Sequence, residues 1–344
     1  MEKIRLGIVG CGGMGKGSHI TSFKKLNGVI CDISAVCDII PERAEQAAKL
    51  IGAPFHTTDY KELPEHLDAV LIALPHELHF EAGMYFISQH KHVLMEKPLC
   101  INENECIKLI NAAEKENITL MCGYPVRYWP AIQMMKKFVD EKTYGDVVQM
   151  SIWTEQYTHM ESEWGNTAKG LGGGQLFSHG CHYIDILLWF LGKPVSGIHI
   201  GSRVGTPWLE KEGTSNVVMT FENGAMAYHF GTWGARGTKH GYSFQIHLTD
   251  GFLEYNLAEQ KLYFINHNGT EDPKDNIWDF TENEQDGHLA HYETEHFIDC
   301  IINNKEPLTN PRDALQGLRV IWKLYDAEEQ NKIADLSGLG LITE

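Results

Sequence analysis

A strand-like run, Ile4 to Val9, passes without a spacer into Gly10-Cys11-Gly12-Gly13-Met14-Gly15, and a helix-compatible stretch follows. Few local patterns restrict a fold as strongly. Glycines at 10, 12 and 15 match the spacing G-x-G-x-x-G. In that pattern the first glycine allows a tight turn, the second lets the backbone approach a pyrophosphate, and the third lets helix pack on strand. The phosphates would rest on the helix N-terminus, where unpaired N–H groups and the dipole favour negative charge. Gly13 and Met14 lie inside the same turn and are candidate contacts with them. A plain glycine-rich turn would be spelled the same way, so the flanking sequence has to decide.

It does so by repetition. Short β-branched runs at Ile4–Val9, Ile33–Cys37, Ala69–Ala73, His92–Glu96 and Thr119–Cys122 alternate with helical stretches. That rhythm predicts a parallel sheet with helices on both faces. Within it, "PERAEQAAKLIG" opens on Pro41 and closes on Gly52, the usual start and stop of a helix. Asp38 ends the second run, where an acidic residue would accept hydrogen bonds from an adenosine ribose. Its neighbour is Ile39, not arginine, and a carboxylate there repels a 2′-phosphate, so NAD is expected over NADP; Arg43, one helical turn on, softens that preference. Capping the helix at Pro41 is a compatible second role for Asp38.

The chain has 344 residues, 43% hydrophobic and 22% charged, enough for about two domains with substantial cores. A formal net charge of -17 opposes binding to nucleic acid or anionic membrane, and no apolar run is long enough to span a bilayer. The start, "MEKIRLGIVG", has no secretory pattern, and the eight cysteines include no CxxC pair. These features lead us to expect a cytoplasmic protein with reduced thiols and a small-molecule substrate.

In "LIALPHELHFEAGMYFISQHKHVLMEKPLC", residues 71–100, one strand ends at Leu74-Pro75 and a later one delivers Glu96-Lys97-Pro98 at its carboxyl end. Ligands of open α/β sheets bind at that end. The glycine fingerprint, the P-x-x-x-H of Pro75 and His79, and "KHVLMEKP" together resemble the glucose-fructose oxidoreductase and inositol dehydrogenase family (Gfo/Idh/MocA), over essentially the whole chain. The resemblance implies an NAD(P)-dependent sugar or cyclitol dehydrogenase with Lys97 in the active site. It also makes Leu74, Pro75, His79, Glu96 and Arg127 candidate cofactor contacts; Pro125 stands near the asparagine that the family usually carries. The residues support a role for Lys97: Pro98 biases it toward extended or cis geometry, and an ammonium beside nicotinamide would stabilise a developing alkoxide. The competing reading is an exposed lysine paired with Glu96, and for Arg127 a surface ion pair.

The family's second hallmark is a glycine cluster followed by Asp-x-Gly-x-His-x-x-Asp. Here it reads Ser178-His179-Gly180-Cys181-His182-Tyr183-Ile184-Asp185, after Gly172-Gly173-Gly174. His182 thereby inherits the role of general base, which suits a group titrating near neutral pH. Ser178 replaces the aspartate that would orient and charge that histidine, leaving Asp185, His179 or the substrate to compensate. On a helix 178, 182 and 185 would share a face, with Ser178 as an N-cap. His179 is either a solvated first-turn residue or a substrate contact. A metal site at His179, His182 and Asp185 is a further alternative, which the family does not need.

The stretch "TEQYTHMESEWGNTAKGLGGG" is expected to form an irregular loop, with Tyr157, His159 and Trp164 as either a sugar-stacking wall or anchors that pin it. Asn223-Gly224, Asp250-Gly251 and Asn268-Gly269 mark hairpins of an antiparallel sheet. Helices are expected over 288–303 and 311–332, with Leu315, Leu318, Ile321 and Trp322 in the core. The expected α/β architecture is an N-terminal Rossmann domain, a doubly wound parallel sheet, over 1–122. A C-terminal α+β substrate and oligomerisation domain with a largely antiparallel open sheet would cover 123–344. The resemblance implies a homodimer or homotetramer.

The function expected is NAD-dependent oxidation of a secondary hydroxyl of a sugar, glycoside or inositol. Two alternatives remain. One is a redox-neutral enzyme that cleaves glycosides through transient oxidation, and the other is a non-catalytic NAD-binding sensor, which would have no need of Lys97 and His182.

Overall fold

Strands buried on both faces read as continuous apolar runs, and the runs of the first half form such a sheet. The computed structural model describes residues 3–160, 163–266, 276–282 and 289–342. Six parallel strands, β1 (Arg5–Val9), β2 (Asp32–Cys37), β3 (Phe55–Thr57), β4 (Ala69–Ile72), β5 (His92–Glu96) and β6 (Leu120–Gly123), lie in the order β3-β2-β1-β4-β5-β6. This is the doubly wound order, and its direction of progression reverses between β1 and β4, where dinucleotides bind. The short edge strand β3 was not among the expected strands; "FHT" has no apolar run to announce it.

The helices among the described residues are α1 (Ile20–Leu26), α2 (Pro41–Ile51), α3 (His79–Ser88), α4 (Glu103–Lys115), α5 (Pro130–Asp140), α6 (Ala168–Leu171), α7 (Cys181–Leu191), α8 (Ala290–Asn303) and α9 (Pro311–Glu329). α2 starts on Pro41 and stops at Gly52, whose φ of 74° suits a residue without a Cβ. Leu6, Ile8, Phe23, Val36, Leu71, Leu94 and Met121 form one core cluster, and Phe297 and Ile298 of α8 join it. Contacts accordingly group Met1–Tyr128 with His288–Ala314 in one unit, and Trp129–Gly287 with Leu315–Glu344 in the other. This grouping differs from a division at residue 122: the apolar face of α8 brings a distant segment back to the first unit.

In the second unit, β7 (Val147–Glu155), β8 (Pro194–Ser202), β9 (Thr214–Phe221), β10 (Met226–Thr232), β11 (Tyr242–Leu248), β12 (Gly251–Asn256), β13 (Lys261–Asn266), β14 (Ile277–Asp279) and β15 (Ala334–Asp335) form one sheet. Their order is β14-β13-β12-β11-β7-β10-β9-β8-β15. Neighbours are antiparallel except β7 and β10, which run parallel. The expected α/β class, with a largely antiparallel second sheet, is the one observed. Asn223-Gly224 turns β9 into β10 with Gly224 at φ 86°, whereas Thr249-Asp250 form the next turn and Gly251 already belongs to β12. The Asn268-Gly269 turn lies outside the described residues. α7 is buried along nearly its whole length and packs against β7 and β10.

Candidate functional site

The glycine turn meets the three demands of its fingerprint. Gly10 has φ 96°, and a Cβ there would lie 2.2 Å from the Ala73 carbonyl oxygen. A Cβ at Gly15 would stand 2.0 Å from the Gly10 oxygen, so helix packs on strand at the expected place. Gly13 has nothing within 4 Å of its Cβ position, and Gly12 only the Arg43 guanidinium at 3.9 Å. Helical backbone begins at Gly13, so its first N–H groups border open space, as a pyrophosphate requires; the Met14 side chain is exposed beside them. Asp38, at the end of β2, accepts hydrogen bonds from the Cys11 N–H (2.8 Å) and the Ile40 N–H (2.9 Å). A carboxylate has about four lone-pair sites, so Asp38 holds the turn and retains acceptor capacity for a ribose. The residues present therefore fit NAD.

At the carboxyl end of β5, the Lys97-Pro98 bond is cis and Lys97 is half-buried. Glu96 is buried; its Oε1 meets His19 Nε2 at 2.5 Å and its Oε2 accepts from the Lys97 backbone N–H at 3.1 Å. His19 escaped the sequence reading, although it ends the π-helical turn Gly15–His19 directly after the fingerprint. His79 is fully buried, with Nδ1 2.8 Å from the Pro98 oxygen and Nε2 3.0 Å from the Leu74 oxygen. Burial holds its pKa below the ordinary histidine value, so a neutral ring donates to one of these carbonyls. A side chain enclosed in this way braces the Leu74-Pro75 turn against Lys97-Pro98 rather than reaching a ligand. Arg127 is also buried, which excludes the surface ion pair, and donates from Nη1 to the Leu308 oxygen at 2.9 Å.

The second unit gathers its candidates around α7. Leu176–Gly180 forms a π-helical turn that leads into α7 at Cys181. π-turns inside helices are frequent at functional sites. Ser178 lies within that turn, and the N-cap of α7 is Gly180, so the expected capping role for the serine does not hold. His182 and Asp185, three residues apart on α7, share a face and are both buried. His179 is not a solvated residue: Nδ1 meets Gln175 Nε2 and Nε2 meets the Tyr242 hydroxyl, each at 3.2 Å. Its ring lies 6.0 Å from that of His182 and 5.3 Å from that of Tyr183. Tyr242 also donates to Gln156 Oε1. Burial raises the pKa of Tyr183 well above its usual value and raises that of Tyr242, so both hydroxyls stay protonated donors.

Gln156, Gln175 and Tyr242 were missed because nothing in their local sequence marks them. Tyr242 reaches the group from β11, far along the chain from α7. Trp164 packs with Met160 and Trp208 against Leu171, Leu209 and Trp233, an anchoring arrangement, and the loop contains helical turns at Glu163–Asn166 and α6. Tyr157 is exposed, with the Arg236 guanidinium 5.4 Å from its ring centre, and the His159 ring lies 4.6 Å from that of Trp208. Among the described residues no group of three or more His, Cys, Asp or Glu could hold a metal ion. All eight cysteines are buried and none is in a disulfide, and among the described residues no helix is long and apolar enough to cross a membrane.

Residues 4–124 match the family model for the oxidoreductase family with an NAD-binding Rossmann fold (GFO/IDH/MocA), and residues 132–254 match the GFO/IDH/MocA C-terminal domain. The chain belongs to the GFO/IDH/MocA family. Its first unit is accordingly an NAD-binding Rossmann domain, and the protein is an NAD-binding oxidoreductase of that family. A levoglucosan dehydrogenase of Pseudarthrobacter phenanthrenivorans is 25% identical over 295 residues, covering 76% of this chain and 75% of the relative. A 2,7-anhydro-N-acetylneuraminate hydratase of Escherichia coli is 22% identical over 306 residues, covering 84% and 79%. The fold is shared with a levoglucosan dehydrogenase solved with NADH and L-sorbose, at a TM-score of 0.85 and 18% identity, covering 97% of this chain and 98% of that one.

Proposed function

We propose that this GFO/IDH/MocA protein is an NAD-dependent dehydrogenase that oxidises a secondary hydroxyl of a sugar, glycoside or inositol. The observation that carries the reading is the buried His182, whose ring lies 6.0 Å from that of His179, itself part of a hydrogen-bonded group with Gln175, Tyr242 and Gln156. NAD, when bound, supplies the acceptor for the hydride that leaves the carbinol carbon. Gly10, Gly12, Gly13, Met14 and Gly15 approach the pyrophosphate, and Asp38 accepts from the adenosine ribose while disfavouring a 2′-phosphate. His182 takes the hydroxyl proton at an imidazole nitrogen. The Lys97 ammonium stabilises the oxygen as that proton leaves, its direction set by Pro98 and the brace of His79. Ser178, His179, Asp185 and Tyr157 meet the substrate, with Trp164 anchoring the loop that carries Tyr157 and the hydroxyl of Tyr242 fixing the His179 ring.

In this proposal the first unit holds the cofactor, and the second binds substrate and mediates oligomerisation. Ile198 and Val218, paired and partly exposed on adjacent strands of the nine-stranded sheet, support a homodimer or homotetramer. Buried cysteines outside any disulfide support a cytoplasmic setting.

A redox-neutral cleavage is the second reading, favoured by Ser178 at the position where the family carries an aspartate and by the similarity to a hydratase. The deciding experiment incubates the protein with NAD and a panel of inositols, free sugars and glycosides. It follows NADH by absorbance and products by mass spectrometry in the same samples. Stoichiometric NADH with a product two hydrogens lighter carries the dehydrogenase; a cleaved glycoside without net NADH replaces it. Absence of any turnover across the panel, with NAD bound, turns the reading toward a sensor.

A further inference from the structure

We propose that Glu212 and Tyr325 are positioning residues that fix the turn carrying His179 and leading to His182. Four consecutive backbone N–H groups at the start of that turn all donate to this pair. Gly174 and Phe177 donate to the Tyr325 hydroxyl at 3.3 and 3.2 Å. Leu176 donates to Glu212 Oε1 at 3.2 Å and Gln175 to the Glu212 carbonyl oxygen at 2.8 Å. The Tyr325 hydroxyl in turn donates to Glu212 Oε1 at 2.6 Å. A hydroxyl has one donor and two acceptor sites, so Tyr325 uses all three. The first four N–H groups of a helix have no partner within it and attract negative charge; here a carboxylate from the loop before β9 and a tyrosine from α9 supply what a local cap would have supplied.

The consecutive glycines have their explanation in this arrangement. A Cβ at Gly174 would lie 2.0 to 2.3 Å from the Glu212 carboxylate atoms, and one at Gly173 would lie 2.6 Å from the Phe177 Cβ. The path onward is short. Gln175 is held by Glu212 through its backbone, and its side chain holds His179 Nδ1 at 3.2 Å. The turn ends one residue before α7, on which His182 sits in the first turn. Burial raises the pKa of Glu212 while Tyr325 lowers it, so the hydrogen bond opposes the cost of enclosing the carboxylate.

The catalytic consequence rests on His182 being the base; the structural claim does not. The test therefore uses two readouts on the intact chain. Imidazole NMR spectra of His179 and His182 are recorded against pH for wild type, Tyr325→Phe and Glu212→Gln, and turnover is measured on whatever substrate the panel yields. Folded variants are expected to shift the signals or midpoints of His179 and His182 while leaving those of exposed His90 in place. They are also expected to lower kcat by about ten- to a hundredfold, the loss that misplacement by about an ångström produces, with KM for NAD unchanged. Stabilisation alone would lower the melting temperature without moving the histidine spectra, so unchanged spectra in a folded variant overturn the proposal. Should both variants fail to fold, amide exchange in the wild type decides: Gly174 to Phe177 must be as protected as α7, and fast exchange there refutes the cap. A wild type without turnover would count against the dehydrogenase while the histidine spectra still judged the positioning.

Discussion

Glu293 lies on α8 with no solvent exposure, and neither carboxyl oxygen has a hydrogen-bond partner among the described residues. Burial, reinforced by the Glu96 carboxylate, holds its pKa well above the usual 4.5. A carboxyl whose folded pKa is raised is more protonated in the folded chain than in the unfolded one. Folding stability is then lost as pH climbs past 4.5 and continues to fall until the folded pKa is reached. The slope in that window is about 1.4 kcal/mol per pH unit. Glu293→Gln keeps the shape and cannot ionise, so it removes this dependence. Urea unfolding of both proteins at pH 4, 5, 6 and 7 reads the difference. At a slope of about 3 kcal/mol per molar, each pH unit inside the window separates the midpoints by roughly half a molar, in favour of the variant. Midpoints that stay parallel between pH 4 and 7 would show that Glu293 ionises normally in the fold and refute the reasoning.

Lys97→Ala and His182→Ala are each expected to lower kcat by about 10²–10⁴ with NAD binding retained, as loss of a proton-transfer group does; steady-state rates beside NAD titrations check this. Asp38→Ala is expected to weaken NAD binding and narrow the preference over NADP, measured as the ratio of the two dissociation constants. The variant also frees the Cys11 and Ile40 N–H groups, so its melting temperature should fall. His229 is fully buried and its pKa is lowered to about 3 by burial and by His199. The unfolded chain binds that proton first, so the wild type loses stability as pH falls from 6.5 toward 3. His229→Gln should flatten this acid limb in thermal melts, and an unchanged limb would count against it.

The Rossmann half was legible because each signal in it is local. The spacing of Gly10, Gly12 and Gly15, the strand before it and Asp38 after β2 all lie within forty residues of sequence. Pro41 and Gly52 bound their helix for the same reason, each through its own backbone preference. The short edge strand β3 fell outside that logic, since a three-residue strand is held by its neighbour β2 and not by an apolar pattern of its own. Lys97 and His182 were picked out by motif, and the proton chemistry proposed for them rests on residue type.

Residue type does not disclose which partner each group finds. His79 reads as a ligand contact from its motif, yet the fold encloses it between two carbonyls. Ser178 reads as a cap, yet Glu212 and Tyr325, 34 and 147 positions further on, do the capping, because enclosed N–H groups take whatever acceptor the packing of distant elements brings. His19 with Glu96 and Tyr242 with His179 are likewise pairings across long sequence separations. Periodicity and turn chemistry act between neighbours in sequence and set the class of fold and the type of cofactor. Hydrogen bonds and burial act between neighbours in space, so the ring that is held and the carboxyl that is kept protonated emerge only once the strands and helices are assembled.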